Sequence, residues 1–233
     1  MGGDQGMKKF GPVVALAVLA GSLFSGYVWP PEQGELKLFQ DQALAERYAP
    51  VIAQGEGIEP APDHLYYLMA DSPGRIFIAY HVSWPYEKDE TKGLAAAFNK
   101  VFYTGGLKLQ KKIFGPEDIE VVELVIDKQS GEIARVRYES AEVEKKGNKV
   151  KQNHQGREAE NVKPPVYFET ITWNHMFALI SPEELGARKV YQLQPEYFSA
   201  ERWEYYKMAK KRRSLFSQDR AYFSWEVEPK PGK

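Results

Sequence analysis

One stretch constrains this chain more than any other. From Phe114 to Asp127 apolar residues crowd a run that opens Gly115-Pro116-Glu117-Asp118-Ile119-Glu120. A short turn follows, Asp127 to Gly131, and then Ile133-Ala-Arg-Val-Arg-Tyr138. Two runs rich in Val and Ile, joined by a turn that ends in glycine, predict a β-hairpin, because glycine supplies the positive φ such turns need. A sheet face of this kind must be buried against another layer. Asp118 and Glu120 stand at the mouth of the first strand. Alternation puts them on one face, roughly 7 Å apart at their Cα atoms. That spacing suits a shared cation or an acid/base pair; a solvated strand end paired with Lys or Arg is the plainer alternative.

The remaining composition narrows the classes. The chain has 233 residues, 43% hydrophobic and 27% charged, which is ordinary for a globular protein. Its net charge of -1 gives no global attraction to nucleic acid, and no nucleic-acid partner is expected. Cysteine is absent, which excludes disulfides, thiolate metal sites and a Cys nucleophile. Any imidazole chemistry must use His64, His81, His154 or His175.

Lys8 and Lys9 precede an uncharged run from Phe10 to Pro31, with Val13 to Ala20 as its apolar heart. A positive segment followed by an apolar one is the pattern of an export signal. The run is also long enough to span a bilayer, with Tyr27 and Trp29 at the far interface. Residues 1–31 are therefore expected to be a signal peptide or a membrane anchor. Residues 32–233 form a single domain outside the cytoplasm, membrane-anchored, secreted or periplasmic. The membrane is a partner through this segment if it stays uncleaved.

Along the domain, the apolar spacing from Leu38 to Ala53 predicts a helix that ends or kinks at Pro50. Leu65 to Met69 and Arg75 to Trp84 read as strands around an Asp71-Ser-Pro-Gly74 turn. Thr91 to Tyr103 reads as a helix stopped by Gly105-Gly106. Glu142 to Val162 is polar and reads as a long hairpin tip or a loop. Pro164 to Trp173 reads as a strand. Ser181-Pro182 opens a helix, Ser199 caps another through about Leu215, and Tyr222 to Val227 reads as a last strand. Strands separated by turns, with helices inserted, predict a mainly β fold with α additions (α+β): a β-sandwich with inserted helices and a C-terminal helix. No glycine-rich loop follows a strand, so nucleotide binding is not expected.

Three polar features stand near strand ends: Asp118 with Glu120, the Trp84 to Asp89 segment, and His175, with His154 in the polar segment. Hard cations take several oxygen ligands, and zinc or manganese also takes imidazole. Asp89, Asp118, Glu120 and His175 are the candidate metal ligands, for calcium, magnesium or manganese. The competing role for His175 is a hydrogen-bonded packing residue, and His81, inside a strand, reads as structural. Trp84 and Trp173 end strands and are expected to fill the core. Lys207, Lys210, Lys211, Arg212 and Arg213 follow Trp203 and Tyr206 on the last helix. They are candidates for membrane or partner binding, unless that helix is simply docked with a basic solvated end.

These residues resemble a family. Arg47-Tyr48-Ala49-Pro50, Ala79 to Pro85 through Lys88-Asp89, Asp118-Ile119-Glu120 and Pro164-Pro165-Val166-Tyr167 leading to His175 are similar to the Vps62-like proteins and the related necrosis-inducing (NPP1-like) proteins. The likeness spans about Arg47 to Phe177. It implies a secreted β-sandwich. In the necrosis-inducing branch it also implies a divalent cation held by acidic residues and a histidine, with membrane lysis as the activity. Asp89, Asp118 and Glu120 match that pattern. Gly115 stands where the branch has a histidine, Ile119 where it has its central Trp, and Thr91 to Lys112 separate Asp89 from Asp118 more widely.

The leading expectation is a cell-envelope or secreted β-sandwich of non-enzymatic binding type, with a divalent cation as candidate ligand. A metal-dependent hydrolase using Asp118, Glu120 and His175, and a membrane-active protein acting through the basic aromatic helix, are the alternatives.

Overall fold

A computed structural model of the protein describes residues 36–86, 116–146, 149–208 and 229. Two sheets and a short helix form three layers. The larger sheet is a meander of five strands: β3 (His64–Ser72), β4 (Arg75–Trp84), β5 (Asp118–Asp127), β6 (Ile133–Lys146) and β7 (Lys149–Val162), each antiparallel to the next. The outer edge of β3 takes two further strands. β1 (Lys37–Phe39) runs antiparallel against Met69 to Asp71, and β11 (Pro195–Tyr197) runs parallel against Leu65 to Tyr67. The smaller sheet has the order β10 (Lys189–Tyr191), β2 (Val51–Gln54), β8 (Tyr167–Thr170), β9 (Phe177–Ile180), with β2 and β8 parallel.

Local sequence explains the meander. Pro73-Gly74 closes the β3–β4 hairpin, with proline fixing φ at the first corner and Gly74 at φ +84 at the second. Gly131 at φ +70 ends the β5–β6 turn, where Asp127 Oδ1 accepts from the Gln129 and Ser130 amides. Those bonds hold the half-buried Asp127 carboxyl below its ordinary range.

The inner faces of the sheets meet as a sandwich. Tyr80, Val82 and Trp84 from β4 and Val122, Leu124 and Ile126 from β5 pack on Ile52, Phe168 and Phe177 of the small sheet. Burying one such side chain stabilises by about 1.5–3 kcal/mol before entropy is counted. Helix α1 (Gln42–Tyr48) plugs one end, with Tyr80 Oη donating to Ala45 O at 2.7 Å and Tyr48 Oη donating to Gly131 O at 2.6 Å. On the opposite face of the large sheet, Leu68, Phe77, Ala79 and Val121 are covered by Phe198, Trp203, Tyr206 and Met208. These last residues belong to helix α2 (Ala200–Tyr205) and its flanks, so the helix is docked on the sheet.

The mainly β sandwich and the central hairpin are as the sequence predicts, and β4 has the predicted bounds. Three readings are corrected. Leu38 to Ala53 is not one helix but β1, α1 and β2. Asp41 starts the short helix by accepting from Leu44 N at 2.9 Å, Pro50 ends it, and all four residues of β2 are buried. A continuous apolar run reads equally well as a helix or as a strand covered on both faces. Glu142 to Val162 is no loop: β6 and β7 are 14 residues each, and the hairpin reading holds. The strand predicted from Pro164 to Trp173 shrinks to Tyr167–Thr170, because a turn begins at Ile171. The helix at Thr91, the strand at Tyr222, the basic end beyond Met208 and the N-terminal segment lie outside the described residues. Among the described residues, no helix is long and apolar enough to cross a membrane.

Candidate functional site

The site lies at one end of the sandwich, where β4 and β5 meet the β8–β9 turn. Register puts Trp84, the last residue of β4, directly opposite Asp118, the first of β5, with Val82 opposite Glu120. Alternation turns Trp84, Asp118 and Glu120 toward the small sheet. From that sheet comes a tight turn. His175 N donates to Thr172 O at 3.0 Å, Met176 N to Thr172 Oγ1 at 2.9 Å and Ile171 N to Met176 O at 2.8 Å. This forces His175 to φ +59, a left-handed backbone that a non-glycine residue adopts at a cost of about 1–3 kcal/mol.

The strained backbone delivers the imidazole to Asp118. His175 Nδ1 lies 2.8 Å from Asp118 Oδ2, across 57 residues of sequence. The ring stacks on Trp84 at 4.4 Å between centroids and 5° between planes. His175 and Trp84 are 0% exposed, while the Asp118 side chain keeps 14% of its surface open. An ionised carboxylate only accepts, so His175 Nδ1 carries a hydrogen and donates it to Asp118 Oδ2. Nε2 is buried and has no hydrogen-bond partner among the described residues, and the same holds for Trp84 Nε1 and Thr170 Oγ1. Glu120 is buried at 2% exposure.

Of the predicted ligands, the structure brings Asp118 and His175 together, with Glu120 two residues along the same strand face. Asp89 lies outside the described residues. His154 is in β7 opposite Ala141, at the far end of the large sheet's strand order from β1. His81 is buried on the other face of β4, edge-on to Phe198 at 4.9 Å and Trp203 at 5.7 Å, which is the structural role expected of it. Among the described residues, no three His, Asp or Glu side chains are grouped closely enough to hold a metal ion. The donor set still fits a hard cation in part: a carboxylate with 14% of its surface open and an imidazole that fixes its orientation. Asp89 or water would have to complete such a shell.

Sequence reasoning missed Trp84 as the plate that holds the histidine. Its place directly before a proline was the available signal. It also missed Ser83, whose Oγ lies 2.6 Å from Asp63 Oδ1 and 3.0 Å from Glu117 Oε2 on the outer face. Near it, Tyr66 Oη and Tyr206 Oη are 3.0 Å apart. Burial pushes the Tyr206 hydroxyl far above its ordinary range, with the Tyr66 hydrogen bond adding to it, and burial raises Tyr66 as well. Trp203 and Tyr206 face the sheet, so the aromatic part of the C-terminal helix is docked. Lys207 is half-buried at its end, and Lys210, Lys211, Arg212 and Arg213 lie outside the described residues.

No protein-family model matches the chain, and no curated protein matches it. Among solved structures, it is similar to NLPPya in complex with mannosamine, with 13% identity, 76% of this chain and 81% of that chain covered, and a TM-score of 0.40. It is also similar to a structure described as a toxin fold for microbial attack and plant defense, with 16% identity, 76% and 80% covered, and a TM-score of 0.38. Likeness at this level carries no argument about activity.

Proposed function

We propose that this chain is an exported β-sandwich of non-enzymatic binding type whose Asp118–His175 corner takes a divalent cation. The observation that carries the reading is the bond from a fully buried, left-handed His175 to a carboxylate that remains partly open. Backbone strain of this kind persists where the surrounding structure over-determines it, and it clusters at ligand clamps. Asp118 supplies the oxygen ligand. His175 fixes its orientation, Trp84 fixes the imidazole, and Glu120 adds negative charge behind them. Export rests on Lys8, Lys9 and the apolar run to Pro31.

The test is thermal unfolding with added calcium, magnesium or manganese. A cation bound only to the folded state raises Tm, by an amount equivalent to about 2.7 kcal/mol at a hundredfold excess over Kd. The double change Asp118→Asn, Glu120→Gln abolishes the shift. An unchanged Tm with all three metals removes the cation from the proposal.

The same dyad supports a second reading, a metal-dependent hydrolase, since an Asp–His pair at 2.8 Å is how a general base is oriented. Burial of Nε2 weighs against it, because a base must reach the proton it removes. Metal-stimulated ester or phosphoester hydrolysis that disappears in His175→Gln would decide for the hydrolase.

A further inference from the structure

Four buried side chains around Phe177 each keep a polar atom outside the hydrogen-bond network. They are Trp84 Nε1, His175 Nε2, Thr170 Oγ1 and Gln54 Oε1, and among the described residues these atoms have no partner. None of the four residues is more than 2% exposed. Register and packing bring them to one region. Phe177 is the register partner of Thr170 on β8, and Thr170 is that of Gln54 on β2. Alternation turns Gln54 and Thr170 inward with Ile52 and Phe168, toward the large sheet. The Phe177 ring lies 5.9 Å from the ring of Trp84, on which the His175 ring is stacked. His175 Nδ1 faces Asp118 on β5, so Nε2, across the imidazole, is turned away from β5. Strand β9 lies alongside β6, and the order of the small sheet carries β8 and then β2 back across the large sheet from there. Nε2 is therefore directed to the side on which Thr170 and Gln54 stand.

We propose that these four atoms line an internal water site between the two sheets. A buried polar group without a hydrogen bond is costly, and buried water is what satisfies such groups in folded proteins. The chemistry of the four selects the ligand. An indole N–H only donates, so Trp84 turns away a cation. The Gln54 amide spends both hydrogens, on Ile58 O at 2.8 Å and Pro60 O at 2.7 Å. Its oxygen can only accept, and it turns away an anion. Thr170 does either. Water donates and accepts at once, and a buried water makes about three hydrogen bonds to groups of this kind. It accepts from His175 Nε2 or donates to it, so the site holds whether or not that nitrogen carries a hydrogen. The imidazole is then fixed at both nitrogens, by Asp118 on one side and by water on the other. Gln54 and Thr170 thereby support the histidine corner through solvent. The inference rests on the fold and on hydrogen-bond chemistry, not on the cation.

Two measurements on the full chain test it, both in a chelator so that no divalent cation contributes. The first is a crystal structure at a resolution that shows ordered solvent. It is expected to place a water within hydrogen-bond reach of Trp84 Nε1 and of at least one of the other three atoms. No ordered solvent at these atoms, or an ion in its place, overturns the proposal. So does a direct bond from Thr170 Oγ1 to Gln54 Oε1 with no water at Trp84. The second is the sign of the Tm change in Thr170→Val, which keeps the shape of the side chain and removes the hydroxyl. If Thr170 bonds a water, the substitution strips that water of a partner, and Tm falls by about 2–4 °C. If the hydroxyl is unbonded, a methyl group in its place is favourable. An unchanged or raised Tm therefore overturns the proposal. Failure of the metal-dependent Tm shift leaves both measurements unaffected.

Discussion

The two faces of strand β4 each bury a histidine completely, and the two are built differently. On the outer face His81 sits in mid-strand, edge-on to Phe198 and Trp203, under a docked helix. On the inner side His175 comes from a turn, in a left-handed backbone, flat on Trp84 and bonded to Asp118. The first follows from regular pairing and apolar packing, so it reads as architecture. The second spends backbone strain to bring an imidazole to a carboxylate. Burial alone therefore does not mark a site; the conformation that delivers the residue, and the group that it meets, do.

The largest test of this contrast is Trp84→Ala. It removes a fully buried indole and should cost about 3–5 kcal/mol in urea unfolding. It should also abolish any cation-dependent Tm shift, since His175 loses its plate. A full-sized shift surviving in this variant would show that stacking does not hold the site. Asp118→Asn comes next, with about 1–2 kcal/mol expected from weakening a charge-assisted bond to a buried partner, and loss of the cation response. If the response survives, the ligand is elsewhere.

The outer face should answer to alkali. Burial raises Tyr66 and Tyr206 above the ordinary tyrosine value of 10.0. A folded-state value above the unfolded one gives stability that is complete below pH 10 and is lost as pH rises further. Tyr206→Phe should flatten that alkaline loss and leave the cation response untouched; a curve identical to wild type would place the sensitivity with Tyr80 instead, which burial also raises. The smallest effect is expected from Ser199→Ala. It deletes the cap at Arg202 N and should cost about 1 kcal/mol, all of it from the docked helix. A change in metal response here would mean that the two faces are coupled.

Much of the large sheet was legible in the sequence because it is local. Strand β4 keeps its predicted bounds, since β-branched and aromatic residues dominate from Ile76 to Trp84, up to a stop at Pro85. The β5–β6 hairpin announces itself through its alternation and Gly131. Of the small sheet only β8 was legible, inside the strand predicted from Pro164 to Trp173. Val51 to Gln54 is too short and too uniformly buried to show a period of two, and its partners Tyr167 to Thr170 are far along the chain. The site shares that difficulty. Asp118 and Glu120 could be put on one face from spacing alone, and His175 could be suspected from its place past a strand. The 2.8 Å contact between them depends on how two sheets pack, which no local pattern encodes.

That dependence sets a timetable. The meander from β3 to β7 is complete once Val162 has been made, and each strand finds its partner next to it in sequence. The second sheet must wait for β8 to reach β2 and β10 to pair with β2, and the edge of the large sheet waits for β11 to reach β3. Pairings this distant in sequence carry a loop-closure cost that local ones avoid, and they form slowly. Trp84 and Asp118 are thus in register before His175 can arrive. The corner exists only in a finished molecule, so a truncated or half-folded chain would carry the aspartate without the histidine that orients it.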